Sequence, residues 1–166
     1  MNWFDLRHRS AEEFQSIMGI DKGKPDILLL CNQLGVPVYW NNSTDKDSLL
    51  YMDLENQKIE IHVKEGTCFE DFRYWVAHQL GHAILHEFEE EIHYDWESKP
   101  VSLKDREAKS FASRILMPIA PLLWLKQFAR GQFKEQHIPE LCSIFSVSSH
   151  IARYRLMNMN WFEERK

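Results

Sequence analysis

Two histidines four residues apart, His78 and His82, are the side chains in this sequence best placed to do chemistry. Residues at positions i and i+4 share one face of an α-helix, so the two imidazoles can bind one metal ion. Apolar residues around them recur at three- and four-residue steps, and Thr67 with Glu70 has the pattern of a capping box. The sequence therefore predicts a metal-binding helix from about residue 68 to about residue 87.

The residue after the first histidine departs from the pattern of a zinc hydrolase. Such helices read H-E-x-x-H, in which two neutral imidazoles bind zinc and the glutamate accepts a proton from the attacking water. This chain has Gln79 in that position, and an amide can hydrogen-bond a water but cannot accept its proton. The pattern keeps the two histidines that can bind a metal ion and lacks the general base. Taken alone, it also fits an ordinary pair of surface or core histidines.

Composition limits the class of protein. The chain has 166 residues, of which 44% are hydrophobic and 13% aromatic, enough for one packed core. Its formal charge of -5 gives no overall reason to expect nucleic acid or an anionic membrane as a partner. The sequence contains neither a signal-peptide pattern nor a long apolar run. We therefore expect a soluble cytoplasmic protein without a membrane partner.

Short runs with strand-like patterns precede the predicted metal helix. They are residues 36–40, 49–52 and 58–63. Pro37 favours an edge position for the first run, because proline cannot donate a hydrogen bond to a neighbouring strand. We expect these runs to form a small antiparallel sheet.

The segment after the predicted metal helix offers no clear third ligand. Glu89 lies seven residues beyond His82, which corresponds to about 10 Å along a helix axis. We expect His86 and His93 to be surface residues for the same reason. Residues 95–100 are predicted to form a loop.

A second helical pattern, at residues 102–117, contains a better candidate. Ala108 and Ala112 on its apolar face are small enough to allow a close approach to the metal helix. Gly81 in the metal helix predicts the same contact, because an interior glycine costs a helix about 1 kcal/mol and usually has a packing reason. Glu107 borders the apolar face, from which its carboxylate can reach back to the ion.

The C-terminal third has the pattern of a helix-turn-helix. Residues 139–145 and 149–159 are predicted helices, and Ser148 would cap the second one. A DNA-binding module would place that second helix in the major groove. However, residues 136–166 carry four basic and three acidic side chains, a net charge of only +1. We expect the two helices to pack on the rest of the chain or on a protein partner, and we do not expect direct DNA binding.

Two motifs taken together resemble those of the ImmA/IrrE family of metallo-endopeptidases. Residues 73–86 read R-x-x-x-A-H-x-L-G-H-x-x-L-H, and residues 106–118 read R-E-A-x-x-F-A-x-x-I-L-M-P. The strand-like runs before the metal helix and a C-terminal pattern at residues 147–156 extend the similarity. The resemblance then covers the chain from about residue 26 to about residue 160.

The resemblance implies a zincin-like α+β fold, mostly helical, with a small antiparallel sheet before the metal helix. It implies one domain over residues 1–166, with a helical subdomain at about 121–166. It also implies zinc on His78, His82 and Glu107, while the family has a glutamate as general base at the position of Gln79. The implied activity is cleavage of a helix-turn-helix repressor or antitoxin, which derepresses its genes.

Gln79 leaves the activity of this chain open. Either a family glutamate was replaced and an inactive form is trapped, or the natural protein acts without proteolysis. The alternatives to a peptidase are a pseudo-peptidase that holds its repressor partner and a helix-turn-helix regulator that binds a partner or DNA. The donor that would stabilise an oxyanion is also open among Tyr51, His62, Tyr154 and Arg155.

Overall fold

The structure, a computed structural model, describes residues 1–20, 22–43, 45–53, 55–87, 92–95 and 100–163. Within these ranges the chain forms α-helices around one four-stranded sheet, which confirms the predicted α+β class. The helices are α1 (Ala11–Met18), α2 (Ile27–Gln33), α3 (Phe69–Leu85), α4 (Leu103–Leu116), α5 (Ile119–Phe128), α6 (Ile138–Phe145) and α7 (Ser149–Asn158). The strands are β1 (Val38–Asn41), β2 (Ser48–Asp53), β3 (Lys58–Lys64) and β4 (Ile92–Asp95).

The sheet is mixed, whereas the sequence suggested antiparallel pairing only. Its strand order is β1-β3-β2-β4, in which β2 pairs antiparallel with both neighbours and β1 runs parallel to β3. β3 and β4 occupy the two sides of β2, and β1 joins at the outer side of β3. Pro37 immediately precedes this edge strand, as predicted, and its carbonyl accepts a hydrogen bond from Ile61 N.

The metal helix predicted from the sequence is α3, and it is buried along most of its length. Side chains of β2 and β3 alternate between buried and partly exposed positions, and the buried apolar ones join the core that surrounds α3. Cys68 is the N-cap of the helix and makes no capping hydrogen bond through its side chain. The predicted capping box at Thr67 is not formed, because the Thr67 hydroxyl donates to Lys64 O in the preceding turn.

Helix α4 packs directly across α3, as the small residues in both helices predict. A Cβ atom added at Gly81 would lie 3.1 Å from Phe111 Cδ1, 3.2 Å from Ala108 O and 3.3 Å from Ala108 Cα. These distances are shorter than ordinary van der Waals contacts, so only glycine fits at position 81 without movement of α4. The contact fixes the first turns of α4 close to the two histidines of α3.

Two buried arginines join the C-terminal helices to this helix pair. Arg73 of α3 donates to Pro25 O at 3.1 Å and to Ser146 O, at the end of α6, at 3.2 Å. Arg155 of α7 donates to Met117 O at 3.2 Å. Buried side chains of α6 and α7 belong to the same core as α3, although the boundaries of the predicted subdomain stay a prediction. In the part of the chain that the structure describes, no helix has the length and apolar character needed to cross a membrane.

Candidate metal centre

Four buried side chains from three elements bring donor atoms together beside α3. They are His78 and His82 of α3, Asp95 at the end of β4 and Asp105 in the first turn of α4. All four donor atoms lie within 4.8 Å of one another. The two imidazole Nε2 atoms are 3.1 Å apart, which confirms that one helical turn places both histidines at a common point.

The spacing of these donors is close to what a tetrahedral zinc site requires. Asp95 Oδ2 lies 3.2 Å from His78 Nε2 and 3.4 Å from His82 Nε2, and Asp105 Oδ1 lies 3.5 Å from His82 Nε2. Bonds of about 2.0–2.2 Å at tetrahedral angles put neighbouring donors about 3.3–3.6 Å apart. Imidazole nitrogens and carboxylate oxygens are also suitable ligand types for this ion. The residues present therefore fit a zinc ion.

The start of α4 explains how Asp105 reaches the group. Ser102 and Asp105 form a capping box, in which Asp105 N donates to Ser102 Oγ at 3.1 Å and Ser102 N donates to Asp105 Oδ2 at 2.8 Å. This fixes one carboxylate oxygen at the helix end and turns the other, Oδ1, toward His82. The sequence analysis did not consider Asp105 as a ligand.

Glu107, which the sequence analysis proposed as the third ligand, lies outside this group of donors. Its Oε2 atom is 2.9 Å from His86 Nε2, and its side chain is 51% exposed. Two positions along a helix correspond to a rotation of about 200°. Asp105 and Glu107 consequently leave α4 in different directions, and Glu107 meets the end of α3 at His86.

His86 connects Glu107 to one of the two histidines in the donor group. Its Nδ1 atom lies 3.1 Å from His82 Nδ1. Burial lowers the pKa of His86 below its ordinary value, so the ring is neutral and carries one proton. Because the Glu107 carboxylate can only accept, that proton is on His86 Nε2, and His86 Nδ1 accepts from His82 Nδ1–H. This arrangement leaves the Nε2 lone pair of His82 directed at the other donors.

The protonation states at the site are those that a cation needs. Burial lowers the pKa of His82 to about 3, so its imidazole is neutral at physiological pH. Burial alone would raise the pKa of Asp95, but the imidazole rings of His78, His82 and His93 around its carboxylate outweigh that effect and hold the pKa below its ordinary value. The site thus presents the neutral imidazole of His82 beside the ionised carboxylate of Asp95. Both are the forms in which these side chains bind metal ions.

The side chain of Gln79 is hydrogen-bonded to Asp95, a member of the donor group. It is fully buried, and its Nε2 donates to Ser48 Oγ at 2.8 Å and to Asp95 Oδ2 at 3.0 Å. Its Oε1 atom is buried without a hydrogen-bond partner among the residues that the structure describes. The amide therefore uses both of its donor hydrogens, and a carboxylate at this position has none to offer.

Sequence reasoning missed three further members of this environment. Asp95 was assigned to a loop, but it is the last residue of β4. The Nε2 atom of His93 lies 3.3 Å from Asp95 Oδ2. The expectation that His86 is a surface residue is wrong, since this side chain is buried, and His93 is largely buried as well. The available signal was the spacing of His93 and Asp95, because residues i and i+2 of a strand share one face. Glu89 lies outside the described residues.

A cleft of about 520 Å³ opens above the donor group. His78, Asp95 and Asp105 line its floor, while Lys109 and the first residues of α7 form part of its wall. Tyr74, on the same side of α3 as His78, places its hydroxyl 3.4 Å from His78 Nδ1. A ligand or a protein segment entering this cleft would meet the donor group directly.

The four oxyanion donors considered from the sequence do not take part in this arrangement. None of Tyr51, His62, Tyr154 and Arg155, all of them within the described residues, lines the cleft. Arg155 is buried against Met117, and the ring of Tyr154 lies 4.5 Å from Lys109 Nζ.

Two imidazoles one helical turn apart, a carboxylate from the next helix and a small sheet beside them define a zincin-like, metallopeptidase-type protein. The Peptidase_M78 family model, described as the IrrE N-terminal-like domain, matches residues 31–157, and the chain belongs to this family. Among curated proteins, no sequence matches the chain. The family that the two sequence motifs resemble is thereby confirmed.

Proposed function

We propose that this chain is a cytoplasmic zinc protein that takes up a helix-turn-helix repressor or antitoxin in its cleft. Its hydrolytic activity is absent or strongly reduced because residue 79 is glutamine. The observation that carries the proposal is the convergence of four buried donors at the floor of a cleft, in a chain that belongs to a peptidase family. His78, His82 and Asp105 would hold the metal, with Asp105 taking the role that the sequence analysis gave to Glu107.

The zinc ion, when bound, would polarise the carbonyl of a peptide substrate. The remaining chemistry depends on residue 79, which in an active enzyme removes a proton from the attacking water and passes it to the leaving amine. Gln79 cannot accept a proton, and loss of such a base commonly lowers the rate by about 10²–10⁴-fold. Slow or absent cleavage is the expected behaviour of the chain as it stands.

The contact between Gln79 and Asp95 favours a second candidate, a pseudo-peptidase that holds its partner without cutting it. A glutamate at position 79 would place a second carboxylate about 3 Å from Asp95 Oδ2, where two ionised carboxylates cannot coexist without a shared proton. Glutamine therefore suits the surroundings of position 79 better than glutamate does. This supports a natural protein that works without proteolysis.

The surroundings of α7 support the expectation that the chain does not bind DNA directly. The first residues of α7 line the cleft, so its N-terminal end faces the metal centre. Arg153 is paired with Glu135, and Arg155 is buried against Met117. Arg155 is therefore not available for a phosphate contact, and Arg153 would have to leave its ion pair with Glu135 to make one.

Zinc content, measured by elemental analysis, tests the proposed metal site. About one zinc per chain is expected in the purified protein and none in His82→Ala, which loses a central donor. His150→Ala is the matched control, because His150 lines the same cleft but is outside the donor group, and it should retain the zinc. A folded parent protein without zinc, even after incubation with the ion, would contradict the proposal.

The fate of a partner separates the two candidates. Purified helix-turn-helix repressors and antitoxins would be incubated with the zinc-loaded chain and analysed by intact mass spectrometry and size-exclusion chromatography. A trapped enzyme gives fragments after Gln79→Glu, whereas a pseudo-peptidase gives a stable complex with an uncut partner in both forms. If no tested repressor or antitoxin is cut or bound, these partners are excluded while the zinc result stands on its own.

A further inference from the structure

We propose that Asp95 is a fourth protein ligand that closes the zinc site, and that Gln79 holds it in place. The proposal rests on the zinc site proposed above and deepens it. Catalytic zinc sites have three protein ligands and one open position, whereas structural sites have four protein ligands. A closed site here means that the chain binds its partner at the cleft and does not hydrolyse it.

The first observation is that the Asp95 carboxylate lies close to both imidazoles, and at least as close to His82 as the Asp105 carboxylate does. Its Oδ2 atom is 3.2 Å from His78 Nε2 and 3.4 Å from His82 Nε2, close to the spacing of about 3.3–3.6 Å expected for neighbours in a tetrahedral site. The Asp95 side chain is only 4% exposed. With His78, His82 and Asp105 as the other three ligands, the ion would have the four protein ligands of a structural site.

The second observation is that Asp95 is fixed by contacts that do not depend on an ion. Asp95 and Ser48 are directly opposite each other in the β2–β4 pairing. Gln79 Nε2 donates to Ser48 Oγ at 2.8 Å and to Asp95 Oδ2 at 3.0 Å, so one amide group reaches both members of this cross-strand pair. The last residue of β4 is thereby tied to the metal helix.

The third observation concerns the residue type at position 79. The contact to Asp95 Oδ2 needs a hydrogen-bond donor, which glutamine has and an ionised glutamate lacks. A general-base glutamate at this position and a ligating Asp95 are therefore incompatible in this arrangement. The absence of the general base and the presence of Asp95 as a ligand are therefore linked. In this arrangement the function of Gln79 is to orient Asp95.

The test uses the cobalt-substituted protein, because Co²⁺ takes the place of zinc and its visible spectrum reports the coordination. Acetohydroxamate is the probe, since it binds much more readily to an ion with an open position than to one whose positions are all filled by protein ligands. We expect the parent spectrum to be that of a four-coordinate ion and to stay unchanged as acetohydroxamate is added. Asp95→Ala should open one position, so that its spectrum changes with saturation.

Asp71→Ala is the matched control, because Asp71 lines the same cleft but is outside the donor group. Its spectrum should behave like that of the parent. Asp95→Asn is the second variant in case Asp95→Ala does not fold, since its amide oxygen can still accept from Gln79 while it is a poor ligand, and it should also respond to the probe. Gln79→Met, which removes the donor but keeps the volume, should lower the Co²⁺ affinity by about 10–100-fold.

Each outcome bears on one of the two proposals. A parent spectrum that responds to acetohydroxamate as strongly as that of Asp95→Ala shows an open site and overturns the role of Asp95. Equal Co²⁺ affinity in Gln79→Met and the parent overturns the role of Gln79 as its positioning residue. A parent protein that binds neither Co²⁺ nor Zn²⁺ contradicts the zinc site itself, which is the failure of the proposed function.

Discussion

Asp105 and Glu107 are two residues apart on α4, yet the structure gives their carboxylates different surroundings. The side chain of Asp105 is 11% exposed, and its Oδ1 atom lies 3.5 Å from His82 Nε2. The side chain of Glu107 is 51% exposed and contacts His86, which in turn contacts His82. The Asp105 carboxylate belongs to the donor group. The Glu107 carboxylate supports that group indirectly, through the imidazole of His86.

The difference shows that two similar side chains near a metal site can have different roles. A ligand must be buried and must supply a lone pair at the ion, whereas a supporting residue has to orient the ring of a ligand and can remain partly in water. Sequence spacing alone does not separate these roles, because both residues are near the same helix end. Their different roles predict different losses of zinc affinity when each is replaced.

The largest effect is expected for Asp105→Asn, which should lower the zinc affinity by more than the roughly 100-fold that a lost supporting residue can cost. Asparagine keeps an oxygen that can accept from Ser102 N, so the capping box at the start of α4 can survive while the anionic donor is lost. Competition against a chromogenic chelator measures the change. An affinity within a few fold of the parent value would show that Asp105 is not a ligand.

A smaller effect, about 10–100-fold in zinc affinity, is expected for Glu107→Ala. The reason is that His86 loses the acceptor that fixes its tautomer, and His82 then loses its oriented partner. Glu107→Gln keeps an oxygen that can accept from His86 Nε2–H, so its loss should be smaller.

Nitrogen-15 NMR of the histidine rings in the zinc-loaded protein adds a second readout for the same variants. In the parent, His82 should carry its proton on Nδ1, as the contacts through His86 to Glu107 require. Glu107→Ala should give His86 a mixed tautomer signal. If Glu107→Ala costs more affinity than Asp105→Asn, Glu107 is the ligand, as the sequence analysis proposed, and the division of roles described above is wrong.

Local patterns predicted those parts of the molecule that depend on one helix or on one pair of helices. The apolar period around His78 and His82 was sufficient to predict α3, and the small residues Ala108 and Ala112 were sufficient to predict its contact with α4. The one local signal for Asp95, its spacing from His93, was too weak, because β4 has four residues, too few for its alternating pattern to be distinguished from a loop. Its approach to the histidines depends on strand pairing with β2, which is a long-range property.

The smallest predicted effect tests the contact on which both carboxylates depend. Gly81→Ala would gain about 1 kcal/mol of helix propensity, but its Cβ would lie 3.2 Å from Ala108 O and 3.3 Å from Ala108 Cα. These are backbone atoms of α4 that cannot rotate away, and overpacking of this kind typically costs about 1–3 kcal/mol. We expect a net loss of about 1 kcal/mol in the free energy of unfolding.

Urea unfolding in the presence of a chelator measures that loss without a contribution from metal binding. Gly23→Ala is the control, because a Cβ at Gly23 would meet nothing within 4 Å, and this variant should be at least as stable as the parent. Any displacement of α4 moves Asp105 and Glu107 together, so Gly81→Ala should weaken zinc binding through both carboxylates. A Gly81→Ala protein as stable as Gly23→Ala, with unchanged zinc affinity, would mean that α4 can shift without disturbing the donor group.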